Sequence, residues 1–217
     1  MTTIVGIQGD GFSLLCSDSR ISDLDRDGGV SQMFTLGTGH SKIAVNGPFH
    51  LGAAGDLRAI NLLAHAFVPP APVPQVTGKK LDAYMTVKFI PELRDCFEKY
   101  GYSLPERDAS SHLAEHGSIL MCSVNAVIYV IDGDYSWITD AAGFYSIGSG
   151  SQFALGALHA LAGGKKLSLQ QAKVMALKAM AAAAKYDPCT GLPYNTFVQE
   201  SPTKTTTQVA KSVKKRI

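Results

Sequence analysis

The sequence contains no run of 18 apolar residues, so it offers no helix that spans a bilayer. It opens without a basic region followed by an apolar one, so no secretory signal is expected. The expected location is the cytoplasm, or a particle assembled there. Cysteine is sparse: Cys16, Cys96, Cys122 and Cys189 lack the paired spacing of a metal site. They read as buried or free thiols of a reducing compartment. His112 and His116 stand four apart with no third ligand in view, and Asp132, Asp134 and Asp140 are not spaced as a calcium loop. No Gly-Lys-Ser/Thr follows the Gly148-Ser149-Gly150 turn, which excludes a phosphate loop. No cofactor and no metal are therefore expected. Lysine is missing between Arg20 and Ser41, and acidic residues are missing after Glu200.

What is present describes a globular protein. The 217 residues suit one domain, 46% of them hydrophobic and 18% charged. The apolar surplus fits a subunit that buries area against partners. Residues 1–200 form the expected domain, with a proline-rich insertion at about 69–78 (Pro69-Pro70-Ala71-Pro72-Val73-Pro74) that reads as a stiff polyproline connector. Residues 201–217 form a basic tail carrying Lys204, Lys211, Lys214, Lys215 and Arg216. The tail is a candidate contact for other subunits. It lacks interleaved aromatics, so nucleic acid is not an expected partner.

Alternation and turn chemistry predict a hairpin over residues 3–8 and 12–16, then a polar loop at 21–29. A second hairpin is predicted from Ser31–Leu36 and Lys42–Val45, with Lys42 facing solvent. Helices are predicted over Leu51–Phe67 and over 81–100, the latter with a core stripe of Leu81, Tyr84, Met85, Phe89, Leu93, Phe97 and Tyr100 and an interruption at Pro91. A further hairpin spans 118–131, followed by a short strand at 135–138. Ser151 is the expected N-cap of a small-residue helix. Ser168-Leu169-Gln170-Gln171 reads as a capping box for a helix reaching about Lys185, with Val174, Leu177, Met180, Ala181 and Ala184 against the sheet. A strand at Asn195–Gln199 closes the domain.

The chemistry concentrates at the start. A hairpin from Thr2 to Arg20 places the beginning of its first strand beside the end of its second. If Met1 is removed, the Thr2 hydroxyl, its own α-amine and the Asp18 carboxylate meet there. A threonine hydroxyl needs a base, and a terminal amine with a pKa of about 8 serves as one.

The pattern Thr2-Thr3-Ile4-Val5-Gly6 with Ser17-Asp18-Ser19-Arg20 resembles the opening of proteasome β subunits and their bacterial relatives, the N-terminal-nucleophile (Ntn) hydrolases. Ile147-Gly148-Ser149-Gly150-Ser151 and Asp187-Pro188-Cys189-Thr190-Gly191 resemble later segments of the same family, in order, so the likeness spans roughly residues 2–200. The resemblance implies an α+β fold, a four-layer αββα sandwich. It implies Thr2 as nucleophile and Asp18 as its orienting carboxylate. Gly47 matches the oxyanion glycine, although Gly52-Ala53-Ala54-Gly55-Asp56 resembles the family's Gly…Asp helix start and leaves the alignment here free to slip by several residues. Ser149, Asp187 and Thr190 match the groups that position the amine. The family's lysine falls, by gap-free counting from Thr2, on Phe34.

Two functions share this fold. The absent lysine favours a catalytically degenerate subunit with a structural role, self-associating into a ring or a larger particle, with a viral one conceivable. The alternative is an active threonine peptidase that uses Thr2 after Met1 is removed.

Overall fold

The computed structural model describes residues 2–24, 29–70, 76–103, 116–164 and 166–201. The centre of the proline-rich segment, His112, and the basic tail beyond Ser201 lie outside the described residues.

The first hairpin forms as its alternation predicts: β1 (Thr3–Gly9) pairs antiparallel with β2 (Phe12–Ser17). Val5, Ile7, Leu14 and Cys16 turn to one face, and Ile4 and Leu15 to the other. A strand apolar on both faces is buried on both, and this pair sits at the centre of its sheet. The sheet order is β10-β1-β2-β11, with β10 at Phe144–Gly148 and β11 at Asn195–Glu200.

The region after Ser17 departs from expectation. Arg20–Leu24 is a strand, β3, and it pairs with β4 (Val30–Thr35) in a separate two-stranded ribbon. Its polar side chains signal a loop, but the ladder is made by backbone groups that side-chain polarity does not report. β4 therefore does not pair with β5 (Ile43–Asn46). β5 instead pairs with β6 (Phe49–Ala54) across the Asn46-Gly47-Pro48 turn. The helix expected over Leu51–Phe67 thus begins as strand, through Ala54. Gly52 and Gly55 interrupt it, and Asp56 caps a shorter α1 (Leu57–His65) by accepting the Arg58 N–H at 2.8 Å. The second sheet runs β5-β6-β7-β8-β9, with β7 at Ile119–Val124, β8 at Val127–Ile131 and β9 at Trp137–Ile138.

α2 (Lys79–Tyr84) continues through a π-helical stretch (Met85–Phe89) into α3 (Ile90–Lys99). Pro91 has no N–H to donate, and the widened turn before it accommodates that loss. Leu81, Met85, Phe89, Leu93 and Phe97 are fully buried against β6, β7 and β8, as their spacing predicts, whereas Tyr84 is only partly buried and Tyr100, at the end of α3, is exposed. On the opposite side α4 (Ser151–Ala162) and α5 (Leu169–Tyr186) cover the first sheet. Between the sheets lie Ile4, Leu15, Ile43, Met121, Ile128 and Ile147. A Cβ on Gly6 would meet Met121 Sδ at 2.8 Å, so glycine there allows the two sheets to close. The layers are helix, sheet, sheet, helix: an α+β, αββα sandwich.

Two helix details are corrected. The cap of α4 is Gly150, not Ser151, and no side chain caps it. In α5 the buried positions are Ala172, Met175, Ala176, Ala179, Met180 and Ala183. Val174 and Leu177 are exposed, because the small alanine face rather than the bulky one fits close against the sheet and α4.

Candidate active site

Asp18 follows the end of β2 and is fully buried. Its Oδ1 accepts the Thr3 N–H at 3.0 Å and the Lys42 Nζ at 2.7 Å. Its Oδ2 accepts the Arg20 N–H at 3.0 Å and the Gly191 N–H at 3.1 Å. All four lone-pair positions of the carboxylate are used, which fixes the ring of elements around it.

Lys42 is the main surprise. It is 1% exposed, and its ammonium also donates to the Arg20 carbonyl. Burial pulls the Lys42 pKa below its usual range, and Asp18 opposes that shift. A charge so buried needs its partner to remain charged. The expectation that Phe34 occupies the lysine position is therefore overturned. Phe34 lies on β4 opposite Ile21 and is 56% exposed. The gap-free count failed because the β3–β4 ribbon and the turn after it lengthen the path from Asp18. The lysine that reaches this carboxylate stands eight positions further along than counted, at Lys42 on the threshold of β5. Its position before an apolar strand resembles a solvated start; only the contact with β2 shows otherwise.

Thr2 is buried beside β10. Its carbonyl accepts the Ser149 N–H at 2.9 Å, with Ser149 Oγ at 3.4 Å. Gly148 has φ +95°, and any Cβ on it would overlap the Thr2 carbonyl, so the approach requires glycine. Ser149 Oγ donates to Asp187 Oδ2 at 2.7 Å, and Thr190 Oγ1 donates to the same oxygen at 2.6 Å. Asp187 Oδ1 accepts the Cys189 N–H at 3.1 Å, which folds the turn after α5 around the carboxylate. Arg20 ties this turn to Asp18: its guanidinium donates to the Pro188 carbonyl at 2.8 Å, and its planar head lies where a Gly191 Cβ would stand.

Thr2, Asp18, Ser149, Asp187 and Thr190 thus come together, and Gly47 does not. Gly47 is exposed in the β5–β6 turn at φ +55°. A cleft of about 270 Å³ is lined by Thr2, Ile21, Lys42, Ala53 and Gly55 among others. The backbone that reaches it is the far end of β6, Ala53 to Gly55, the segment inside the Gly52–Asp56 pattern. Sequence reasoning missed Lys42, Thr3, Gly150 and Arg20. Arg20 was inside the Ser-Asp-Ser-Arg motif, and Thr3 stood next to the expected nucleophile. Among the described residues no group of three or more His, Cys, Asp or Glu side chains is placed to hold a metal. No helix among them is long and apolar enough to cross a membrane.

The sequence matches no protein-family model and no curated protein. Solved structures do match. Thiobacillus denitrificans BPH in complex with epoxomicin aligns with a TM-score of 0.71 at 22% identity, covering 93% of this chain and 100% of that one. Eukaryotic HslV from Trypanosoma brucei aligns at 0.59 and 19%, covering 92% and 99%. Anbu, an ancestral β-subunit from Yersinia bercovieri, aligns at 0.59 and 16%, covering 92% and 82%. Together with the two sheets, their helical layers and the order of its motifs, these likenesses establish that the chain has the proteasome-β-like fold of the N-terminal-nucleophile hydrolases.

Proposed function

We propose that this chain is a threonine peptidase when Thr2 is its first residue. The observation that carries the reading is the buried Lys42–Asp18 pair, 2.7 Å between Nζ and Oδ1, in the wall of the cleft that holds Thr2. The supposed lack of a lysine was the argument for a catalytically silent subunit, and Lys42 removes it.

In this reading the free Thr2 amine takes the proton from its own Oγ1. Oγ1 attacks the peptide carbonyl, and the amine returns the proton to the leaving nitrogen. Water then takes the place of the leaving group and releases the acyl chain from Oγ1. Lys42 sets a positive charge beside the nucleophile, and Asp18 holds that charge in place. Ser149 Oγ gives its proton to Asp187, so its lone pairs remain to accept from the amine. The end of β6, from Ala53 to Gly55, is the backbone available to the developing oxyanion.

We also propose that the chain acts as a subunit that associates with its own copies. Phe153, Leu161, Val174 and Leu177 are exposed along α4 and α5, in support of this.

Protein lacking Met1, verified by intact mass, is expected to hydrolyse small fluorogenic peptides and to gain mass with epoxomicin, the ligand of the Thiobacillus structure. Thr2→Ala is expected to abolish both, a loss of at least about 10²-fold in kcat/KM. No turnover by the trimmed protein, or turnover unchanged in Thr2→Ala, would sink the reading.

A further inference from the structure

Thr3 is fully buried, and the scheme above gives it no task. Its backbone N–H binds Asp18. Its hydroxyl binds elsewhere: Gly150 N–H donates to Oγ1 at 3.0 Å, and Thr190 Oγ1 lies 2.6 Å away. The direction of this chain is fixed. A backbone N–H only donates and an ionised carboxylate only accepts. Thr190 has one hydroxyl proton, and it goes to Asp187 Oδ2 at 2.6 Å. The Thr3 hydroxyl must then donate to Thr190. The order is Gly150 N–H, Thr3 O–H, Thr190 O–H, Asp187. Gly150 is built for it, since a Cβ there would overlap Thr3 Oγ1 and stand 2.9 Å from Thr190 Oγ1 and 3.0 Å from Asp187 Oδ2.

We propose that Thr3 is a positioning residue: its hydroxyl orders Thr190 and Asp187 so that the Thr2 amine stays neutral in the working range. This rests on the peptidase reading. A carboxylate near an amine favours the ammonium form. Each hydroxyl proton donated to Asp187 Oδ2 spreads that charge and weakens the pull, and a chain of donors polarises its last member. Without the Thr3 hydroxyl, Thr190 loses the donor that orients it, and the Thr2 ammonium gains stability. The charged and titratable groups around Thr2 are Asp187 and Cys189 in the turn after α5, Asp18 and Arg20 at the β2–β3 junction, and Lys42 before β5. Asp23 and Asp56 line the cleft. Replacing Thr3 by valine changes none of these charges and little volume.

The test uses protein with a free Thr2 and 13C-labelled threonine. The amine is titrated through the Thr2 Cα signal, and the pH profile of kcat/KM is measured beside it. In Thr3→Val the amine midpoint is expected to rise by about half a unit, roughly a threefold smaller neutral fraction below it, and the acid limb of kcat/KM to move with it. Thr3→Ser keeps the hydroxyl and is expected to keep both at the wild-type position. A purely structural role would lower the melting temperature of Thr3→Val and leave the midpoint in place. Thr3→Ala serves the same comparison if the valine variant does not fold. A midpoint equal to wild type in either variant, or a serine variant that behaves like valine, overturns the proposal. A shifted midpoint in protein that hydrolyses no peptide supports the relay and overturns the peptidase reading instead.

Discussion

Lys42 and Asp18 set the energetics of the site. Both side chains are at most 1% exposed, and each is acceptable only because the other is there. Lys42→Met leaves the Asp18 carboxylate buried without its cation and is expected to cost about 3–5 kcal/mol of stability. Adding Asp18→Asn removes the stranded charge, so the double variant should recover much of that loss in urea melts while remaining inactive. Recovery of stability with continued inactivity separates the chemical task of the pair from its structural one. The identity of Lys42 as the partner was not legible in the sequence. Counting along the chain gave Phe34, because chain distance does not report an added ribbon. Asp18, Ser149, Asp187 and Thr190 were legible, since each stands in a short local motif whose spacing the fold preserves.

The helices divide in the same way. The capping box of α5 is local chemistry and was readable: Ser168 Oγ accepts the Gln171 N–H at 3.3 Å, and Gln171 Oε1 accepts the Ser168 N–H at 2.9 Å. Ser168→Ala is expected to cost about 1 kcal/mol, which for a domain of this size lowers Tm by about 2–4 °C. Thermal denaturation checks it, and Ser168→Asp should restore most of the loss because a carboxylate also caps. The buried face of α5 was not readable in the same manner. Its alanines offer two helical faces of similar hydropathy, and only the presence of α4 and β1 selects one. Strand partners were equally hidden. β4 was expected to pair with the strand that begins at Lys42, and it pairs instead with β3, in a stretch that reads as a loop.

Across the molecule, two histidines held away from water, His116 and His50, are expected to make the fold sensitive to acid. His116 lies among the rings of Phe97, Tyr102 and Tyr135, and its ring nitrogens make no close hydrogen bond among the described residues. Burial holds its pKa below the ordinary value, although Asp132 and Asp134 pull the other way. Burial also lowers His50, on the interior strand β6. With the folded pKa below the unfolded one, the unfolded chain binds more protons between the two values. The stability is fully present above about pH 6.5, the unfolded value, and is lost as pH falls toward the folded value. Urea melts between pH 7.5 and 5 should show that loss. His116→Phe, which keeps a ring and removes both titratable nitrogens, should show less of it. Equal pH dependence in the two proteins would exclude His116 as a source.

The sequence by itself determined the layers and the positions of the local motifs. Alternation made β1 and β2 a strand pair buried on both faces, helical spacing made the Leu81–Phe97 stripe a core, and three short patterns in order indicated the fold. These features depend on neighbours a few residues apart, where chain spacing is spatial spacing. The tertiary structure decided which lysine meets Asp18, which glycine-bearing segment reaches the cleft, and that the Thr3 hydroxyl meets that of Thr190. Those contacts join residues 24 to 187 positions apart. Such contacts are fixed by how two sheets and a ribbon close on each other, which no local pattern along the chain encodes.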